Sequence, residues 1–204
     1  MVRLYIARAN FTADAYDTAL AACSETRRAK ISALRLAADR YRSLAAAVAF
    51  AHALESMGLC AKSEAVAVQP GGKPYLPAHP ALHFSLSHAG EFAVCAISDR
   101  QVGVDIEQER PFREAMQQRC FREAERAAAL PLRLWVLKES YGKMTGRGLA
   151  AMETAELLFG ETLRASEQGV LQRASFWDDT FPEGCRIAVC CAGDEPFVPE
   201  VIQI

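Results

Sequence analysis

The chain has 204 residues, 51% hydrophobic and 24% charged, with a formal net charge of −2, a balance that excludes a disordered or fibrous protein and allows one large domain or two small ones around a core that needs no disulfides. Its seven cysteines (Cys23, Cys60, Cys95, Cys120, Cys185, Cys190 and Cys191) are odd in number, include no C-x-x-C pair and sit mostly in apolar runs, which predicts reduced thiols and a cytoplasmic protein. Arg3 and Arg8 interrupt the N-terminus and no uncharged run approaches about 18 residues, so neither a signal peptide nor a membrane span is expected.

Residues 24–57 carry Ile31, Leu34, Ala38, Tyr41, Ala45, Val48 and His52 at steps of three and four with no proline between them, the spacing of a helix that Gly58 ends. Its length leaves room for a break between Arg35 and Asp39. Arg28, Arg35 and Arg42 recur at seven-residue spacing, on one side of that helix. The run Gln69-Pro70-Gly71-Gly72-Lys73-Pro74-Tyr75-Leu76-Pro77 cannot be regular structure and reads as a loop. Beyond it Leu82, Phe84 and Leu86 alternate with polar residues, and Phe92–Ser98 is an apolar run. Asp99-Arg100-Gln101 then reads as a turn into Val102-Gly103-Val104-Asp105-Ile106-Glu107, so a strand and a hairpin are expected. Residues 112–130 are helix-like, and Pro131–Thr145 is a helix with proline in its first turn and Gly146 past its end. The last third returns to strand patterns, notably Cys185–Cys191. Phe92-Ala93-Val94-Cys95-Ala96 is echoed by Ile187-Ala188-Val189-Cys190-Cys191, either a chance match in an alanine-rich chain or the trace of two similar halves.

Charge is unevenly spread. Residues 1–50 hold eight Lys/Arg against four Asp/Glu, and residues 151–204 hold three against ten. A basic face for an anionic partner and a solvated Arg-rich helix both fit that asymmetry. Only five of the 23 basic residues are lysine (Lys30, Lys62, Lys73, Lys138, Lys143), which directs attention to those positions. In the strand read at 102–107, Val102, Val104 and Ile106 point to one face and Gly103, Asp105 and Glu107 to the other. Two carboxylates so placed lie roughly 6–7 Å apart at the backbone, and their tips can converge on a divalent cation such as Mg²⁺ or simply form the solvent face of an edge strand. On the helix at 131–145, Trp135, Glu139 and Lys143 share a face and Lys138 lies about 100° round from Glu139. Glu139 and Lys143 make a routine helix pair, or with Asp105, Glu107 and Lys138 they suit a pyrophosphate held by Mg²⁺. Phe84-Ser85-Leu86-Ser87-His88-Ala89-Gly90 ends a strand in a Ser-His-x-Gly turn that suits a phosphate. A Ser-His nucleophile pair is disfavoured there, because neighbours on a strand point to opposite sides and no G-x-S-x-G elbow surrounds Ser87.

Taken together, Gly72-Lys73-Pro74, Phe84-x-x-Ser87-His88, Val102-Gly103-Val104-Asp105-Ile106-Glu107, Phe121-x-x-x-Glu125, Trp135-x-x-Lys138-Glu139-Ser140-Tyr141-x-Lys143 and Gly146-x-Gly148-Leu149 occur in the order and approximate spacing of the 4′-phosphopantetheinyl transferases. The chain resembles the two-halved, monomeric surfactin-synthetase (Sfp-like) type most, over residues 70–149.

That resemblance implies an α+β fold of two similar α/β halves related by a pseudo-twofold, each a small mainly antiparallel sheet on a long helix, with halves at 1–98 and 99–204 and coenzyme A between them. It implies Mg²⁺-dependent transfer of 4′-phosphopantetheine from coenzyme A to a serine of an apo acyl or peptidyl carrier protein, releasing adenosine 3′,5′-bisphosphate, with no nucleic-acid or membrane partner. Asp105, Glu107 and Glu139 match the metal ligands, and Glu139 also matches the residue that deprotonates the acceptor serine, directly or through water. Asp105, Glu139 and Lys143 form the implied catalytic set. Lys138 and Lys143 match lysines near the coenzyme A phosphates. Lys73, Ser87 and His88 match contacts to the nucleotide end, Arg42 resembles an arginine reaching the same end, and Arg27 and Lys30 are further contacts of that kind. Ser85 and Ala89 depart from the usual Asn and hydroxyl residue of the family, and Ser85 has less reach than Asn. A non-catalytic coenzyme A or carrier-binding relative, and a Mg²⁺-dependent phosphodiesterase on the same carboxylates, are the alternatives.

Overall fold

The structure is a computed structural model, described over residues 1–182 and 184–204. Strand β1 (Val2–Arg8) is followed by helices α1 (Ala13–Ala22) and α2 (Glu25–Ser32). A hydroxyl starts each helix: Thr12 accepts from the Ala15 N–H at 3.3 Å and Ser24 from the Arg27 N–H at 3.4 Å, satisfying donors that a helix start leaves free. Helix α3 (Ala37–Glu55), short strands β2 (Ala67–Val68) and β3 (Pro74–Tyr75), and strands β4 (His83–Ala89), β5 (Phe92–Ser98) and β6 (Val102–Gln108) come next. Then follow helices α4 (Glu114–Cys120), α5 (Glu123–Ala128), α6 (Pro131–Thr145) and α7 (Leu149–Thr154). The chain closes with β7 (Ala155–Leu158), β8 (Arg164–Glu167), β9 (Val170–Leu171), β10 (Ala174–Asp179), β11 (Cys185–Ala192) and β12 (Glu200–Gln203).

The strands form two principal sheets, in the orders β12-β1-β5-β4 and β10-β11-β6. The period-two pattern of each strand sends alternate residues to different neighbours. Val2, Leu4, Ile6, Val94 and Ala96 of the first sheet meet Val102, Val104, Ile106, Ile187 and Val189 of the second in one core. The opposite face of the first sheet, with Tyr5, Cys95, Ile97 and Phe84, packs on Ala45, Ala49, Phe50 and Ala53 of α3. The second sheet packs Ala188 on Leu134 and Leu137 of α6, and Cys190 on Tyr141 and Met144. Each principal sheet thus carries one long helix, and the fold is α+β as expected. All seven cysteines are free thiols, four of them buried. Among the described residues no helix is long and apolar enough to cross a membrane.

Four expectations change. The stretch read as a loop at 69–77 contains strand β3, Pro74–Tyr75, which pairs antiparallel with Ala67–Val68 of β2; the ladder is a two-stranded edge only two residues long, where a proline is tolerated. The helix read at 24–57 is two, α2 and α3, separated by residues 33–36, so Arg28, Arg35 and Arg42 do not line one helix. In α2 only Ile31 is buried, whereas α3 buries a whole stripe, and Arg40 satisfies the Leu34 carbonyl freed at the break, at 3.2 Å. The expected hairpin of 92–98 with 102–107 is absent: β5 pairs with β1 and β4, and β6 with β11. Asp99-Arg100-Gln101 carries the chain from one sheet to the other, so that β5 and β6 face each other across the core the two sheets share instead of pairing edge to edge. Residues 112–130 are two short helices with a bend at Phe121 and Arg122. Strand β12 returns to lie parallel to β1, pairing Arg3 with Glu200 and Ile6 with Gln203, so the first sheet takes a strand from the end of the chain.

The close approach of α6 to β6 positions the site. A side chain at Gly103 would collide with the Ser140 carbonyl and with Met144, its Cβ within 2.9 Å of the Met144 Cα. Only glycine lets the helix lie directly on the strand.

Candidate active site

Strand β6 aims Asp105 and Glu107 at α6, and α6 returns Glu139 and Lys143 toward them at a four-residue step. Lys143 donates to Asp105 Oδ1 at 2.6 Å and to the Ser87 hydroxyl at 2.9 Å, and Ser87 donates to the same Asp105 oxygen at 2.8 Å. Asp105 is buried, and among the described residues its Oδ2 has no hydrogen-bond partner, an expensive state for a carboxylate oxygen. Burial, then the Asp105 charge, pushes the Glu107 carboxyl above its usual range. Glu139 is raised by burial, by Asp105 and by Glu107, with Lys143 opposing. The three carboxylates therefore share one electrostatic environment. They are not drawn into a cage: among the described residues no group of three or more His, Cys, Asp or Glu side chains stands ready to hold a metal ion.

An aromatic shelf borders Glu107. Arg110 lies 3.5 Å from Glu107 and stacks over Phe112 and Trp135 at 4.7 and 5.7 Å from their ring centroids. On the other side, burial lowers the His88 pKa, and the Arg42 and Lys143 charges lower it further. His88 thus feels the charge of a residue of α3 and of one of α6. Arg42 pairs with Asp39 on α3. A cleft of about 250 Å³ runs beside this group, lined by Gly71, Gly72, Lys73 and Pro74 on one wall and by Gly142, Lys143, Gly146 and Gly148 on the other. A larger open cavity of about 450 Å³, between Arg3, Met57, His79 and Asp99, holds none of these groups.

Asp105, Glu107, Glu139, Lys143, Ser87, His88 and Arg42 are thus neighbours in one region. Two lysines assigned to coenzyme A are not. Lys138 is 1% exposed and pairs with the fully buried Glu125 at 2.9 Å. It also donates to the Cys120, Met152 and Ala155 carbonyls at 2.8, 3.3 and 2.9 Å. It lies on the buried side of α6, about 100° from Glu139, so its ammonium ties α6 to its own surroundings and does not reach the cleft. Lys73 lines the cleft with its stem only, because its ammonium is turned inward onto Gln101, Val102 and Met144. Ser87 meets Asp105 and Lys143 rather than an open nucleotide pocket. Ser85 accepts from the Val104 N–H at 3.1 Å, so it links β4 to β6 across the two sheets. Of the further N-terminal contacts, Arg27 is turned onto the Ser43 carbonyl at 2.6 Å, and Lys30 is exposed.

Sequence reasoning missed three features. Glu125 accepts from the Arg122 and Leu157 N–H groups at 2.6 and 2.7 Å as well as from Lys138; its fixed distance from Phe121 was visible, its burial was not. Tyr141 and Arg147 both bind Glu167, pinning the turn after α6. Gly103, between two valines of a strand, was the readable sign of a close backbone approach.

Compared with known proteins, residues 101–190 match the family described as the 4′-phosphopantetheinyl transferase superfamily. The chain belongs to that superfamily.

A 4′-phosphopantetheinyl transferase of Bacillus subtilis is 33% identical over 150 residues, 66% of this chain and 65% of the relative. The 4′-phosphopantetheinyl transferase psf-1 of Bacillus pumilus is 32% identical over 154 residues, 70% and 64%. HetI of Nostoc sp., also a 4′-phosphopantetheinyl transferase, is 37% identical over 141 residues, 60% and 58%. The chain spans less than two thirds of the length of each of these. The superfamily match includes Asp105, Glu107, Glu139 and Lys143, whereas Arg42, Lys73, Ser87 and His88 precede it.

Proposed function

We propose that this chain transfers the 4′-phosphopantetheine of coenzyme A to a serine hydroxyl of an apo acyl or peptidyl carrier protein, releasing adenosine 3′,5′-bisphosphate. The observation that carries the reading is the junction of Asp105, Lys143 and Ser87 beside the cleft, with Glu107 and Glu139 in its field. Coenzyme A would lie between the halves 1–98 and 99–204. Its nucleotide end would face Arg42 and His88, and its pyrophosphate would face Lys143.

The donor set fits a magnesium ion. Asp105 Oδ2 is buried without a partner among the described residues, and the Asp105 charge raises the proton affinity of both glutamates. Asp105, Glu107 and Glu139 would hold the ion, whose positive charge lowers the repulsion between an attacking oxygen and the pyrophosphate. Lys143 neutralises Asp105 otherwise.

In the transfer, the serine oxygen bonds to the phosphorus bearing pantetheine, and the bond from that phosphorus to the bridging oxygen of the bisphosphate breaks. Glu139 takes the serine proton. Charge builds on the departing bisphosphate, opposite Lys143. The working form we propose is a cytoplasmic monomer, a setting compatible with seven free thiols.

The test is incubation with coenzyme A, Mg²⁺ and apo carrier proteins, following carrier mass. The expected result is carrier modified by one phosphopantetheine, lost by about a hundredfold or more in Asp105→Ala with an unchanged circular dichroism spectrum. Coenzyme A consumed without carrier modification would make the protein a phosphodiesterase, and coenzyme A bound without either would make it a binding module.

A further inference from the structure

Lys73 is buried, and among the described residues no carboxylate pairs with its ammonium. A lone buried charge is costly unless every donor is satisfied. Here each is: the ammonium donates to Gln101 Oε1 at 2.8 Å, to the Val102 carbonyl at 3.2 Å and to the Met144 carbonyl at 2.6 Å. An ammonium has three N–H donors, so none is left for a ligand. The three acceptors come from distinct places. Gln101 belongs to the crossing between the sheets, Val102 starts β6, and Met144 lies in the last turn of α6, where free carbonyls carry partial negative charge. The stem of Lys73 runs past Gly146, where an added Cβ would lie 3.5 Å from the lysine Cβ and Cδ. Gly71 stands so close to the Gly146 carbonyl that a side chain there would overlap it.

We propose that Lys73 is a positioning residue, which fastens the Gln69–Pro74 loop to the junction of β6 and α6 and thereby sets the width of the cleft in which coenzyme A is read to bind. The inference rests on that reading of the cleft. The junction held by Lys73 is the one that carries the chemistry: Asp105 lies three residues beyond Val102, and Lys143 immediately precedes Met144. Burial pushes the Lys73 pKa down to about 8, the mark of an ammonium kept for its geometry at some expense.

The test measures dissociation constants of coenzyme A and of 3′-dephospho-coenzyme A by calorimetry, alongside carrier modification, for wild type, Lys73→Met and Gln101→Ala. Gln101 is exposed, so its variant removes one acceptor without threatening the fold. The expected result for Lys73→Met is an equal loss of affinity for both nucleotides, about tenfold or more, with kcat at saturating coenzyme A within about threefold of wild type. Gln101→Ala should show the same pattern, smaller. A loss confined to coenzyme A would make Lys73 a ligand of the 3′-phosphate and overturn the proposal. So would unchanged affinities with only a lower unfolding temperature, which would reduce Lys73 to a packing residue. Were Lys73→Met not to fold, Gln101→Ala would decide alone: equal weakening of both nucleotides supports the proposal and unchanged affinity sinks it. Wild type that binds coenzyme A without modifying a carrier removes the transferase reading and leaves this comparison intact.

Discussion

Glu139 and Glu107 are held in mutual repulsion around Asp105, and the sign of the effect can be worked out. A carboxyl whose pKa is raised on folding binds more protons in the native than in the unfolded chain, between the ordinary 4.5 and its folded value. Stability is then greatest below the ordinary value and falls as pH rises through that window. Without metal, carboxyl NMR should find Glu139 titrating above 4.5. Burial is the largest cause and persists in any surface-neutral variant, but Asp105→Asn removes the leading charge and should lower the Glu139 pKa, whereas Lys143→Met should raise it. The reverse order would separate Glu139 from this cluster. At the same scale, Asp105, Glu107 and Glu139 could be read from the sequence because strand and helix periodicity fix which face each occupies. The hydrogen bonds of Ser87 could not, since they depend on how two sheets meet.

Helix α6 was legible to its ends: proline opens it and Gly146, at φ 74°, closes it. What periodicity did not decide was which of its two lysines faces the cleft. Trp135, Glu139 and Lys143 mark one stripe, yet inward and outward are relative to elements elsewhere in the chain, and the partner that claims Lys138 is Glu125 of α5. Because both members are buried, removing one leaves an uncompensated charge. Lys138→Met should therefore lower stability by about 3–5 kcal/mol, measured as a lower urea midpoint with an unchanged slope. The fraction that remains folded should bind coenzyme A as wild type does; a selective loss of affinity would return Lys138 to the cleft. The missed crossing between β5 and β6 has a similar origin. Two apolar strands separated by a three-residue turn signal look like a hairpin, and only the competing partners β1, β4 and β11 show why they part.

Across the molecule, the echoed segments at 92–96 and 187–191 fall in β5 and β11, each an inner strand of its principal sheet. Each principal sheet carries a long helix, and Ser85 of β4 and Lys73 of the Gln69–Pro74 loop bridge toward β6. The chain uses arginine for most of its positive charge but places lysine where three main-chain or amide oxygens surround one nitrogen, at Lys73 and Lys138. A compact ammonium with tetrahedral donors fits such a nest, and a planar guanidinium does not. The two nests are also chemical clocks for different openings. Lys73 loses its nest when the Gln69–Pro74 loop parts from β6 and α6, whereas Lys138 loses its own only when α6 parts from α5 and α7. Under pulsed amine acylation read by mass spectrometry, exposed Lys30 and Lys62 should label at once, then Lys73 as mild urea frees its loop, and Lys138 last, together with global unfolding. Simultaneous labelling of Lys73 and Lys138 would mean that the loop has no opening of its own, and that the cleft it lines widens only when the whole protein unfolds.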